Sequence, residues 1–103
     1  MSLEASSILD RHSELVQKSK VKLGSISHEL SMMSLGIAGE AGEVLEPIKK
    51  HLYHGKDLDL EKMKLELGDL LWYIHGLTTL LGFTLEEVIE SNITKIEDRY
   101  LSR

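Results

Sequence analysis

The sequence contains no cysteine, which excludes disulfides, iron–sulfur clusters and thiolate chemistry. It has a single proline and no apolar run near the roughly 18 residues that a membrane span requires. Its first fifteen residues carry acidic side chains and no uninterrupted apolar stretch, so we expect no secretory signal. Together these absences predict a cytoplasmic protein with no membrane partner.

Positive charge is also scarce, because 12 Lys and Arg are outnumbered by 17 Asp and Glu, for a formal net charge of −5. Without a dense run of basic residues, binding of nucleic acid through its phosphates is not expected. A phosphorylated ligand would therefore need a divalent metal to supply positive charge. The 103 residues, 42% of them hydrophobic, are enough for a single domain spanning residues 1–103.

Helical periodicity runs through almost the whole chain, and strand signals are nearly absent. Apolar spacing predicts four helices, over residues 3–21, 28–53, 60–81 and 85–100. The residues predicted to stop or cap these helices are Gly24, Ser25 or Ser27, Gly55, Asp57 or Asp59, Gly82, and Thr84 with Glu87.

Short turns between four helices predict an all-α fold, an antiparallel four-helix bundle. The apolar residues of the last helix are expected to face inward: Ile89, Ile93, Ile96 and Tyr100. Because the first helix is only weakly apolar and the chain is short, we expect oligomerisation, as a homodimer or homotetramer, to complete the core.

Two pairs of acids share one spacing: Glu40 with Glu43, and Glu66 with Asp69. Residues three apart lie on one face of a helix, so the pairs can oppose each other if their helices pack antiparallel. Converging carboxylates repel unless cations neutralise them, and oxygen-only ligands favour Mg²⁺ or Mn²⁺. Spacing alone leaves open that both pairs are ordinary solvated helix faces.

Three glycines surround the first acid pair in "GIAGEAGEVLEPIKK", at Gly36, Gly39 and Gly42, and Pro47 follows. Each glycine costs roughly 1 kcal/mol relative to alanine inside a helix. We expect these glycines to let a neighbouring helix approach closely and to leave room for metals and a ligand.

The stretches "GIAGEAGEVLEPIKKHLYHGK", "LELGDLLWYIHGL" and "SNITKIEDRY" together resemble the MazG-like family of all-α nucleoside triphosphate pyrophosphohydrolases. The family pattern is Glu-x-x-Glu, a linker of about twenty residues, Glu-x-x-Asp, and then Asn-x-x-Lys with Arg-Tyr. Here 22 residues separate the two acid pairs. The resemblance covers residues 33–100, about two-thirds of the chain.

The resemblance implies Mg²⁺-dependent hydrolysis of a (d)NTP to the (d)NMP and pyrophosphate, as in removal of unwanted nucleotides from the cellular pool. It implies that Glu40, Glu43, Glu66 and Asp69 are metal ligands and catalytic residues, with Mn²⁺ as a possible substitute ion. The alternatives are a related enzyme acting on phosphoribosyl-ATP or dUTP, and a non-catalytic helical oligomerisation module.

Four polar residues are candidates for binding substrate. Asn92 and Lys95 match family positions that contact phosphate, and Arg99 shares their helix face. Lys50 lies about 80° round the helix from Glu40, and could neutralise phosphate oxygens as an electrostatic clamp.

For the aromatic and histidine residues near the acids, packing or surface roles are favoured over binding roles. Trp72 and Tyr73 could stack on a base, but packing is the preferred interpretation for Trp72. His75 is expected in the interior, and His51 and His54 lack the further ligands of a zinc site.

Overall fold

The structure, a computed structural model, describes residues 7–101, which form four α-helices and no β-strand. The helices are α1 (Ile8–Ser19), α2 (Ile26–His54), α3 (Leu60–Leu80) and α4 (Leu85–Tyr100). The predicted all-α class is confirmed, while the predicted start of the first helix, at residues 3–6, lies outside the described residues. No helix within residues 7–101 is long and apolar enough to cross a membrane.

The helix ends follow from local sequence. Ser25, Asp59 and Thr84 cap α2, α3 and α4, and each side chain accepts a hydrogen bond from the backbone N–H three residues on. Glu87 completes the predicted capping box by accepting from the N–H of Thr84 at 2.9 Å. Gly55 ends α2 with a φ of 65°, in the left-handed region that glycine adopts without strain.

Helices α2 and α3 form the main packed pair, and they run antiparallel. Met33 and Gly36 on α2 meet Gly76 and Tyr73 on α3, so the contacts move backward along α3 as they advance along α2. A Cβ atom on Gly36 would overlap the ring of Tyr73, and one on Gly76 would lie 2.7 Å from the Met33 sulfur. These two glycines therefore permit the close approach of the pair.

The expected role of the other two glycines in helix approach is wrong for the described chain. A Cβ atom on Gly39 or on Gly42 would meet nothing within 4 Å. Both residues lie on an exposed side of α2 next to Glu40 and Glu43. The open space beside them fits the expectation that glycines leave room around the acids.

Helix α1 packs on α3 through both apolar and polar contacts. Val16 is fully buried. The Nδ1 atoms of His12 and His75 lie 2.8 Å apart, and the indole N–H of Trp72 donates to Ser19 Oγ at 3.0 Å. His75 is buried, as predicted, and its ring stacks on that of His12.

The beginning of α2 is tied to the end of α1 by an ion pair that the sequence did not indicate. Lys20 Nζ lies 2.9 Å from Glu29 Oε1, and the two side chains are 6% and 16% exposed. Because both charges are largely removed from water, loss of one partner would leave the other unpaired at a cost of about 3–5 kcal/mol.

The His12–His75 contact makes stability depend on pH. Burial, followed by the nearby His12, lowers the pKa of His75 below its ordinary value of 6.5. A depressed folded-state pKa gives stability that is present above pH 6.5 and is lost as pH falls through the folded value. We expect the free energy of unfolding, measured with urea, to fall between pH 7 and pH 5 in the wild type and not to show this fall in His75→Gln. The exposed His54→Gln is the control and should retain it.

Helix α4 departs from the prediction. Leu85 is its only buried side chain, and every residue from 86 to 100 is exposed. The expectation that its apolar stripe faces inward is wrong for the single chain, since Ile89, Ile93 and Ile96 are 44–49% exposed. The described residues thus place α1 and α2 against α3 and leave α4 largely uncovered, so the closed four-helix bundle stays a prediction.

Candidate metal centre

Three carboxylates converge where α2 and α3 face each other. Glu40 of α2 and Glu66 and Asp69 of α3 each offer an oxygen, and the three oxygens lie within 4.8 Å of one another. Glu66 and Asp69 are three apart and so share one face of α3, and the antiparallel register brings that face to Glu40. Glu40 and Glu66 are partly buried, whereas Asp69 is exposed.

The cluster is electrostatically unfavourable without a cation. Partial burial raises the pKa of Glu40 above its ordinary 4.5, and the negative charges of Asp69, Glu66 and then Glu43 raise it further. An all-oxygen donor set is the kind that hard divalent cations prefer. The residues present therefore fit a divalent metal, and binding one would relieve the repulsion.

Glu43 lies beside the three converging carboxylates and is not one of them. It lines a neighbouring cleft with Pro47 and Lys50, although its charge is near enough to affect Glu40. Helix α2 continues through Pro47 to His54. Because proline has no N–H, the Glu43 carbonyl loses its usual donor within the helix.

Two cavities flank the carboxylates along the α2–α3 groove. The aromatic cavity, about 270 Å³, is lined by Glu40, Asp69, Trp72 and Tyr73. The lysine cleft, about 330 Å³, lies toward the α2–α3 loop and is lined by Glu43, Glu46, Pro47, Lys50, Lys56, Asp57, Asp59 and Lys62. Trp72 thus donates a hydrogen bond to Ser19 of α1 and also lies beside the acids, while its predicted packing role stays a prediction.

The predicted substrate-binding residues are divided between two places. Lys50 lines the lysine cleft, next to Glu43. Asn92, Lys95 and Arg99 lie on the exposed stretch of α4, and both flanking cavities are lined by α2, α3 and the loop between them. Their contacts with substrate therefore stay predictions.

Two lysines of the cleft were not singled out from the sequence. Lys56 is in the loop "HGKDLD", and Lys62 is in the first turn of α3. The sequence does show Lys50, Lys56 and Lys62 at intervals of six residues, with Lys56 inside the turn and the other two on the helices on either side of it. His51 helps to shape this turn, since its Nδ1 lies 2.8 Å from the carbonyl oxygen of Lys56.

The fold and the site define an all-α protein with a candidate divalent-metal centre between two antiparallel helices. Residues 27–102 match the family model described as the MazG nucleotide pyrophosphohydrolase domain, and the chain belongs to this family. The match includes all the predicted site residues and confirms the resemblance seen in the motifs. Members of the family act on nucleotides and generally use a divalent metal.

A curated relative adds little about substrate. The Gene 37 protein of Mycobacterium phage L5 is 34% identical to this chain over 77 residues. The matched stretch covers 68% of this chain and 65% of the phage protein, so the chain spans just under two-thirds of that relative. No solved structure matches the chain.

Proposed function

We propose that this protein is a Mg²⁺-dependent pyrophosphohydrolase that converts a (d)NTP into the (d)NMP and pyrophosphate, and that it clears unwanted nucleotides. The observation that carries the proposal is the convergence of Glu40, Glu66 and Asp69 within the region that matches the family. In this reaction the anhydride bond between the α and β phosphates breaks and a water oxygen forms the replacing P–O bond. The departing phosphate keeps the electron pair, and the water protons pass to the products or to solvent.

Different residues of the site have different roles in this proposed reaction. Glu40, Glu66 and Asp69 hold the cation, which when bound supplies neutralisation of phosphate charge and Lewis acidity. Glu43, one helical turn from Glu40, reaches the ion or orients the attacking water. Lys50 binds phosphate oxygens from the lysine cleft.

The proposal extends to the α4 residues Asn92, Lys95 and Arg99, which bind phosphate when α4 is brought over the α2–α3 groove. Their side chains project from a helix that makes few contacts with the rest of its own chain. Closure of α4 within the chain, or its supply by a second copy, would place them on the substrate.

The test of the function is a panel of single (d)NTPs, with dUTP and phosphoribosyl-ATP included, incubated with Mg²⁺ and followed by ion chromatography. We expect pyrophosphate and the monophosphate as products. Release of orthophosphate and a nucleoside diphosphate would contradict the stated reaction. No turnover, together with no thermal shift on adding Mg²⁺ or Mn²⁺, would favour the non-catalytic helical module, because a folded-state ligand must stabilise the fold.

Oligomerisation is the second part of the proposal. The radius of gyration is 16.7 Å, whereas a compact domain of this length has about 13 Å. Ile89, Ile93 and Ile96 form a stripe on one side of α4 and are each nearly half exposed. Burying such a stripe against a second copy recovers roughly 25 cal/mol for each Å² of apolar surface.

We expect Ile93→Asp to dissociate the oligomer, because a carboxylate at the centre of the stripe would be desolvated without a partner. Light scattering after size exclusion, over a dilution series, measures the mass. Thr94→Asp places the same charge on the next residue, about 100° round the helix, and should leave the mass unchanged. A wild-type protein that is monomeric at every concentration would contradict the expected homodimer or homotetramer.

A further inference from the structure

The lysine cleft contains three basic side chains that form no ion pair within the described residues. Within residues 7–101, Lys50, Lys56 and Lys62 make no ion pair, although four acids line the same cleft. Two of those acids are engaged elsewhere: Glu46 pairs with Lys49 at 3.4 Å, and Asp59 caps α3 by accepting from the Lys62 N–H at 3.1 Å. The three ammonium groups therefore have no ion-pair partner among the described residues, although Glu43 and Asp57 also line the cleft.

The size of the cleft suits a small, hydrated anion. Its volume of about 330 Å³ is many times the space that one ordered water needs, so the cleft leaves room for two linked phosphate groups.

The cleft also has a defined position relative to the three carboxylates. Along α3, Lys62 precedes Glu66 by one turn, about 6 Å. Along α2, Glu43 follows Glu40 by nearly one turn, and Lys50 lies two turns farther in the same direction. The aromatic cavity, with Trp72 and Tyr73, lies at the opposite end of the groove.

We propose that the lysine cleft binds the pyrophosphate end of the substrate, with Lys56 and Lys62 joining Lys50, and that the nucleoside lies toward the aromatic cavity. The inference rests on the proposed function and adds the direction in which the nucleotide lies. The bond that breaks is then at the carboxylates, between the two cavities.

The reverse orientation is disfavoured by charge. It would place the terminal phosphates in a cavity whose lining contains no cationic side chain, so that the cation held by the carboxylates would be left as their only positive partner there. It would also place an uncharged base in a cleft lined by three lysines and four carboxylates, with no aromatic ring on which to stack. In the proposed direction each part of the substrate meets a complementary surface, because phosphate oxygens accept from ammonium groups and a base can stack on an aromatic ring.

The test is calorimetric binding of pyrophosphate and of a nucleoside monophosphate, each with Mg²⁺, to the full-length protein. We expect the double variant Lys56→Gln with Lys62→Gln to bind pyrophosphate at least about tenfold more weakly and to bind the monophosphate with unchanged affinity. The matched control is Lys64→Gln, which removes a lysine of α3 that is 75% exposed and paired with Glu61. This control should bind both ligands as the wild type does.

The outcomes separate this inference from the proposed function. Equal pyrophosphate affinity in the wild type and the double variant, or no pyrophosphate binding by the wild type, overturns the subsite even if (d)NTPs are hydrolysed. A loss of monophosphate affinity in the double variant, with pyrophosphate affinity kept, establishes the reverse orientation and overturns the proposal. A third result would be a wild type that hydrolyses no (d)NTP and a double variant that still binds pyrophosphate more weakly than the wild type does. That result would contradict the proposed function and support the anion-binding site.

Discussion

Replacing Glu40 by glutamine is expected to lower kcat for pyrophosphate release by at least about 100-fold. Mutation of residues that merely support metal ligands typically costs 10–100-fold, so loss of a ligand should cost at least as much. Glu40 is the α2 carboxylate in the converging cluster, and without it only Glu66 and Asp69 of α3 remain of the three. The measurement is initial rate against Mg²⁺ concentration with a (d)NTP in excess.

A second measurement on Glu40→Gln shows whether lost activity reflects misfolding. A raised folded-state pKa gives stability that is present below the ordinary value of 4.5 and is lost as pH rises through the folded value. In a chelator at pH 7 the variant should therefore be more stable than the wild type, because the repelling charge is gone.

The control for this substitution is Glu61→Gln on α3, whose side chain is 84% exposed and makes only a surface pair with Lys64. It should change neither the rate nor the stability by a measurable amount, since such exposed pairs contribute about 0–1 kcal/mol. Retention of wild-type kcat by Glu40→Gln would remove Glu40 from the metal site. A fall in the variant's metal-free stability would show instead that its carboxylate supports the fold.

Replacing Gly36 by alanine is expected to destabilise the protein by about 1–3 kcal/mol. The new methyl group would overlap ring atoms of Tyr73, and both residues lie in the packed α2–α3 pair. Either the tyrosine ring or the helix must move. Because Tyr73 lines the aromatic cavity with Glu40 and Asp69, the rate should fall as well.

The matched variant is Gly39→Ala, three residues farther along the same helix. A methyl group there meets open space, so the better helix propensity of alanine should raise stability by up to about 1 kcal/mol. Urea unfolding at one fixed protein concentration measures both variants, since association would otherwise alter apparent stability. Equal effects of the two substitutions would show that the close contact at Gly36 is absent in solution.

Local features of the fold were predictable because they depend on neighbouring residues. The apolar period of 3.6 residues marks each helix. The cap residues Ser25, Asp59 and Thr84 each accept a hydrogen bond from a backbone N–H only three residues farther along the chain. Gly55 and Gly82 stop helices through a backbone conformation that is intrinsic to glycine. Such interactions need no knowledge of the rest of the chain.

The candidate site was predictable only in part. Spacing placed Glu66 and Asp69 on one helix face and allowed them to oppose Glu40, and the structure brings these three together. Spacing also predicted Glu43 as a member of the cluster. The helix rotation between residues 40 and 43 instead turns Glu43 toward the lysine cleft. Which member of a pair points inward depends on the register and rotation of the packed helices.

The sequence by itself determined the helices, their caps, the two acid pairs and the family, because period, spacing and motif are properties of adjacent residues. The tertiary structure decided that Gly36 permits close packing and Gly39 does not, since only the approach of Tyr73 distinguishes two glycines in one helix. It also determined the largely buried Lys20–Glu29 ion pair and left the apolar stripe of α4 exposed. Burial is a relation between distant segments, and hydrophobic period shows that a face needs covering without showing what covers it.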